Sequence, residues 1–383
     1  MALWSLGFRP FFLLAGSWAV AAVGLWLVML AGGGWPGMPN DGIAWHIHEM
    51  VFGFAGAALA GFLLTAIANF TGRPPVGGLW LAVLAASWLS GRFAMAFQGL
   101  LAPAVVVLSD GLFPVLLAVT VARELLAARS NIPLGAIVVI FAGADLLYQL
   151  GGLSIGVEPA VTLAAAPHLF FILIALMGGR IIPAFTANWL RARGAEALPV
   201  RRKWLERLVV PLTVAVAIGD SGWPGSTLAG LLGLAAAIVH GWRLAGWRGL
   251  ASRAEPLLLV LHIGYGWLVV GYALLAISAF GGVPGHGAAM HALTAGAMGT
   301  MILAMMSRVA LGHTGRALHA GRPIVIAYVL VNLAAMIRVI SASAGGEYHR
   351  LLTVSGLLWL AAYLIYCWVY VPILLGPRVE RAQ

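Results

Sequence analysis

This 383-residue sequence predicts an all-α, polytopic integral membrane protein of about twelve transmembrane helices. Three observations carry that expectation. Hydrophobic residues make up 62% of the chain and charged residues 9%, where a soluble domain carries about 25% charged residues; the mean hydropathy is +0.99. Apolar runs recur from end to end, each long enough to cross ~30 Å of hydrocarbon as a helix of ~20 residues. The basic residues fall on alternate connections. No stretch remains for a sizeable soluble domain, so residues 1–383 are read as a single transmembrane helical domain in a lipid bilayer.

Taken in order, the apolar runs are 10–31 and 45–68, then a connection holding Arg73; 78–97 and 103–126, then Arg123 and Arg129; 132–153 and 159–184, then Arg191, Arg193, Arg201, Arg202, Lys203 and Arg207. The series continues with 204–220, where Pro211 interrupts a short apolar core, and 224–245, followed by Arg243, Arg248 and Arg253. It closes with 256–280, 287–311, then Arg316 and Arg322, and finally 323–343 and 350–375. Connections such as 32–44, 98–102, 154–158, 221–223 and 281–286 contain no Lys or Arg. The positive-inside rule then places the basic loops and both termini in the cytoplasm, which requires an even number of crossings.

The formal charge of +10 is therefore read as topology, not as affinity for nucleic acid. Residues 1–6 have no basic region ahead of an apolar core and no A-x-A site, so no cleaved leader is expected. Glycine numbers 49. In membrane helices it usually marks close helix contact, and Gly53, Gly56 and Gly61, with Gly143, Gly151 and Gly152, are read as packing positions. "TAIANFTGR" (65–73) and "FTANWLRAR" (185–193) echo each other weakly, too weakly to be called a repeat.

A single cysteine, Cys367, excludes an internal disulfide and any multi-cysteine metal site. The ten histidines are the remaining candidates, and helical rise sorts them by depth. His46, His48, His168, His286, His291 and His349 fall in the outer leaflet; His240, His262, His313 and His319 lie toward the cytoplasm. Ionisable groups in membrane helices mark sites or pathways. Imidazoles suit iron, copper and zinc, whereas calcium or magnesium needs more carboxylates than 12 acidic residues offer. A transition-metal or heme site near the outer face is expected.

In "WHIHEM" (45–50), His46 and His48 point ~200° apart on a regular helix. Either the helix starts irregularly and both converge, or they serve different centres. Glu49 is a metal ligand, an acceptor that orients an imidazole, or a proton carrier. His291 is favoured as a ligand, and the methionines below it are read as packing. His168 and His262 either ligate or hydrogen-bond across helices, and His262 has Tyr265 on its face. Arg180 and Arg308 are expected to snorkel. Arg338 pairs with a heme propionate or an acidic partner such as Asp145, or snorkels outward. Asp145, Tyr148 and Gln149 form a buried polar patch with no assigned role. "GHTGRALHAGRP" (312–323) lacks the phosphate-loop pattern, and no G-x-S-x-G elbow is present.

Together, "GFRPFFLLAG" (7–16), "WHIHEMVFGFAGAALAGFLLTAIANFTGRPP" (45–75), "GGRIIPAFTANW" (178–189), "LHIGYGW" (261–267) and "MHALTAGAMGTMILAMMSRVALGHTGR" (290–316) resemble the NnrS family. The resemblance implies a twelve-helix protein of the bacterial inner (cytoplasmic) membrane. It also implies heme and copper as cofactors and a place in nitric oxide metabolism and resistance to nitrosative stress in denitrifying bacteria. No C-x-x-C-H motif occurs, so the heme is expected to be noncovalent heme b. Ligand-bearing segments two, six and ten match the heme–copper oxidases by analogy of architecture. The seventh segment, however, lacks their histidine pair.

On that resemblance the working assignment gives heme to His48 and His291, with Arg338 as a propionate partner. Copper or the opposite face goes to His46, His168 and Glu49, and His262 is a further ligand. Nitric oxide is the implied small ligand, and the electron donor is unspecified. Three functions compete: an oxidoreductase or scavenger converting nitric oxide, a non-catalytic sensor or metal-handling protein, and a secondary transporter. The outer-leaflet depth of the histidines counts against transport, whose sites lie at the midplane.

Overall fold

A computed structural model describes residues 2–379. Twelve long helices follow one another: α1 Phe8–Leu30, α2 Gly42–Thr71, α3 Gly78–Ala96, α4 Pro103–Ala127, α5 Ile132–Gly152, α6 Pro159–Arg191, α7 Lys203–Gly222, α8 Thr227–Ala245, α9 Pro256–Ala279, α10 His286–His313, α11 Arg322–Ser341 and α12 Tyr348–Leu375. No strand occurs among the described residues. Eleven of the helices are long and apolar enough to cross a membrane. The exception is α7, which carries Lys203, Glu206, Arg207 and Asp220. The chain is a multi-pass membrane protein.

Local chemistry sets the helix ends. The Asp41 carboxylate accepts from Ala44 N at 2.9 Å and caps α2, Ser226 Oγ does the same for α8 at 3.1 Å from Ala229 N, and prolines open α4, α5, α9 and α11 in the first turn, where an amide N–H is dispensable. Gly72 closes α2 with φ of 68°, a left-handed conformation that glycine adopts without a Cβ penalty.

The helices cluster into two compact units. The first comprises the residues up to Ala166 with Val309–Ala317 and those from Tyr366 on; the second comprises Pro167–Arg308 and Leu318–Ile365. In the first, α1 packs on α2 and α4 packs between α3 and α5. The "GFRPFF" stretch finds its use here: buried Arg9 donates to Leu374 O at 2.8 Å and Gly376 O at 2.6 Å, satisfying carbonyls at the end of α12. In the second unit α9 packs on α8 and α10, and α10 on α11.

Three helices are irregular in the same way. α2, α6 and α10 contain π-type segments at Glu49–Ala55, Ile174–Gly178 and Ala292–Gly299, so the irregularity recurs every fourth helix. A π turn widens the hydrogen-bond ladder and is frequent at functional sites. Each segment here offers a carbonyl to a side chain of another helix. Trp88 Nε1 donates to Gly53 O at 3.1 Å, Arg243 Nη1 to Ala175 O at 2.7 Å, and the Tyr363 hydroxyl to Gly299 O at 3.0 Å.

The glycines divide. A Cβ at Gly53 would stand 2.6 Å from Trp18 Nε1 and 2.8 Å from Arg92 Nη1, and one at Gly61 2.6 Å from the Phe12 ring. Gly143 and Gly152, expected to be packing positions, have nothing within 4 Å, and Gly151 meets the turn after α5 at Val157 O.

Candidate metal centre

In the first unit α2 delivers His48 and Glu49 to the start of its π segment, α3 delivers Arg92, α4 delivers Asp110, and α5 delivers Asp145 and Gln149. At ~1.5 Å per residue, His48, Asp110 and Asp145 each lie about 10 Å from the helix end opposite the basic loops. His48, Glu49 and Asp110 are fully buried, and Arg92 and Asp145 nearly so.

His48 is the hub. Its Nε2 lies 3.1 Å from Asp110 Oδ2 and 3.0 Å from Asp145 Oδ1, and its Nδ1 lies 3.1 Å from Glu49 Oε1. Arg92 Nη1 donates to Glu49 Oε1 at 2.7 Å, while its Nη2 pairs with Asp110. Gln149 donates to Asp110 and contacts Met95 Sδ at 3.4 Å. The His48 ring sits between Phe52 and Tyr148, at centroid distances of 4.9 and 4.7 Å.

Charge decides what this arrangement can hold. Three carboxylates face one guanidinium, so with all three ionised the cluster keeps surplus negative charge even with His48 protonated. Buried charge without compensation is costly. Glu49 Oε2 and Asp145 Oδ2 are buried without a hydrogen-bond partner among the described residues. One ligand atom each from His48, Asp110 and Asp145 lie within 4.8 Å of one another, a spacing a metal ion can occupy. One imidazole and two carboxylates suit iron(II), manganese, zinc or copper(II), and the set lacks the sulfur that copper(I) prefers. Glu49 then holds Nδ1 of the ligand imidazole, the outer role that fixes a metal-binding histidine.

His46 does not join this cluster. The opening of α2 is regular over Gly42–His48, so His46 turns away and stacks on Trp26 at 4.8 Å. The other expected site residues lie in the second unit. His168 Nε2 lies 3.2 Å from Asp220 Oδ2, and His286 Nε2 lies 3.0 Å from Asp220 Oδ1. His262 Nδ1 lies 3.0 Å from Leu258 O and its Nε2 3.5 Å from Thr186 Oγ1, with the ring packed under Gly249. His291 Nδ1 donates to Gly287 O at 2.7 Å, which leaves Nε2 as the basic nitrogen. Arg338 stands near the end of α11, bonded to Ser341 Oγ at 3.1 Å.

Heme and a bare ion make different demands on these residues. Both nitrogens of His48 face carboxylates, so an axial bond from His48 to heme would require one of those contacts to break. His291 has the arrangement of a heme ligand, its Nδ1 tied to a carbonyl and its Nε2 available. Asp110 and Asp145 complete the candidate ion site, although neither is expected as a ligand from the sequence. The sequence marks Asp145 as part of a polar patch and as an acidic partner for Arg338, and no local pattern marks Asp110 as a ligand.

No match is found among curated proteins. The family model described as NnrS protein matches residues 2–378, nearly the whole chain. With the multi-pass helical fold, that match shows that the chain belongs to the NnrS family.

Proposed function

We propose that this NnrS-family protein handles nitric oxide in the bacterial cytoplasmic membrane by means of a transition-metal ion held by His48, Asp110 and Asp145. The observation that carries the reading is the set of three buried carboxylates around His48 against one guanidinium, a charge that a divalent cation held there neutralises. An iron or copper ion so held would supply an open coordination position for a small neutral ligand. Glu49 orients the imidazole, Arg92 fixes Glu49 and Asp110, and Phe52 and Tyr148 exclude water around the His48 ring. Heme b, the second cofactor of the reading, is assigned to His291 with Arg338 nearby for a carboxylate.

The test is an anaerobic nitric oxide titration of detergent-purified protein, followed by electron paramagnetic resonance and optical absorption. A nitric-oxide-dependent signal that disappears in Asp145→Asn is expected. Metal-loaded wild type with no spectral response to nitric oxide would overturn the reading. Consumption of many equivalents with a reductant would make the protein an oxidoreductase, and stoichiometric binding without turnover would make it a sensor or metal-handling protein.

A further inference from the structure

The polar residues of α7 share one face. Glu206, Thr213 and Asp220 recur every seventh position, two helical turns apart, and cover ~21 Å of the axis. Each meets a histidine or arginine of another helix in the second unit. Glu206 binds Arg243 of α8, with Arg243 Nε 3.0 Å from Oε1; Thr213 Oγ1 lies 3.0 Å from His240 Nε2; Asp220 lies between His168 and His286. α9 adds two tyrosines at the same spacing. The Tyr265 hydroxyl is 2.7 Å from His240 Nδ1 and accepts from Arg243 Nη1 at 2.9 Å, and the Tyr272 ring is 5.4 Å from the His240 ring. His240, Tyr265 and Tyr272 are fully buried, whereas the His286 side chain is 45% exposed.

The hydrogen bonds run in one direction. Arginine can only donate, so the Tyr265 oxygen accepts from Arg243 and its own proton goes to His240 Nδ1. The neutral imidazole then carries its proton on Nε2 and gives it to Thr213 Oγ1, whose hydroxyl donates to Val209 O at 2.7 Å. Toward Asp220 the column continues at Tyr272, whose buried hydroxyl lies beside Thr213. At the basic end the fixed cation Arg243, bound by Glu206, Tyr265 and Ala175 O, closes the column.

We propose that this column is a proton-exchange path joining the aqueous phase at His286 and Asp220 to the buried Tyr265–His240 pair. A proton leaving His240 Nε2 passes to the Thr213 hydroxyl, which turns from Val209 O to hand its own proton to the Tyr272 oxygen, and Tyr272 releases its proton toward Asp220. The Tyr265 proton replaces it on the imidazole, and the phenolate left behind is held by Arg243. The reverse sequence reloads the pair. The path does not depend on a metal in the first unit.

The test is the deuteration rate of the Tyr265 hydroxyl in intact protein moved into D2O. It is followed by infrared spectroscopy of ring-labelled tyrosine, with Tyr265→Phe identifying the band. Exchange within minutes is expected in wild type, slowed at least tenfold by Tyr272→Phe and by Thr213→Val. The Tyr272 change removes one oxygen and keeps the ring, and loosened packing would speed exchange rather than slow it. Wild-type exchange as slow as the amides of α8 and α9 would overturn the proposal. So would rates that neither substitution slows.

Discussion

His48 Nε2 lies 3.0 Å from Asp145 Oδ1, a contact between residues 97 positions apart that joins the opening of α2 to the far end of α5. The contact makes the two residues energetically dependent on each other. His48→Ala strands three carboxylates beside one arginine, and Asp145→Asn relieves part of that repulsion. A double-mutant cycle of these substitutions, read by unfolding in mixed micelles, is expected to give a coupling of ~0.5–3 kcal/mol. Additive effects would mean that the two side chains act separately.

Arg92 is the cluster's one permanent cation, and it is 3% exposed. Removing one member of a buried ion pair typically costs about 3–5 kcal/mol because the partner charge stays behind. Arg92→Met is therefore expected to destabilise the protein by roughly that amount. Arg92→Lys should cost less but still lose one of the two carboxylate contacts, since an ammonium lacks the planar fork. Equal stability of Arg92→Met and wild type would exclude an ionised cluster.

The histidines separate by neighbour rather than by depth. His46 stacks on Trp26, so His46→Phe is expected to leave metal content unchanged while His48→Phe lowers it at least tenfold. His291→Ala should abolish the optical spectrum of heme b. His262→Phe should retain it, because both His262 nitrogens face Leu258 O and Thr186.

Two glycines that look alike in the sequence should respond differently. At Gly53 an added methyl collides with Trp18 and Arg92, so Gly53→Ala is expected to cost ~1–3 kcal/mol and to disturb the cluster through Arg92. At Gly143 the methyl enters open space, and Gly143→Ala should be neutral or slightly stabilising, as alanine is the better helix former. Comparative thermal unfolding reads both.

Much of the fold was legible because the bilayer enforces it. Twelve apolar runs became twelve helices, and α7, weak in hydropathy, is the helix whose polar face is turned to His168, His240, Arg243 and His286. The candidate metal centre was only half legible. "WHIHEM" pointed to His48 and Glu49, yet their partners Arg92, Asp110 and Asp145 are single polar residues on three other helices, and no local pattern pairs them. One overlooked signal was present. His48, Gly53 and Gly56 share their spacing with His291, Gly296 and Gly299, and in both helices these glycines admit an aromatic side chain: Trp18 and Phe141 in α2, Trp267 and Trp359 in α10.

The most direct test of the central claim is the transition-metal content of protein purified without chelators from cells supplied with iron, copper, zinc and manganese. Wild type and Asp110→Asn/Asp145→Asn are compared, with heme iron subtracted by its pyridine spectrum. One non-heme equivalent per chain in wild type, falling below a tenth of that in the variant, is expected. A wild type without a non-heme metal, or a folded variant that keeps it in full, would contradict a metal centre at His48.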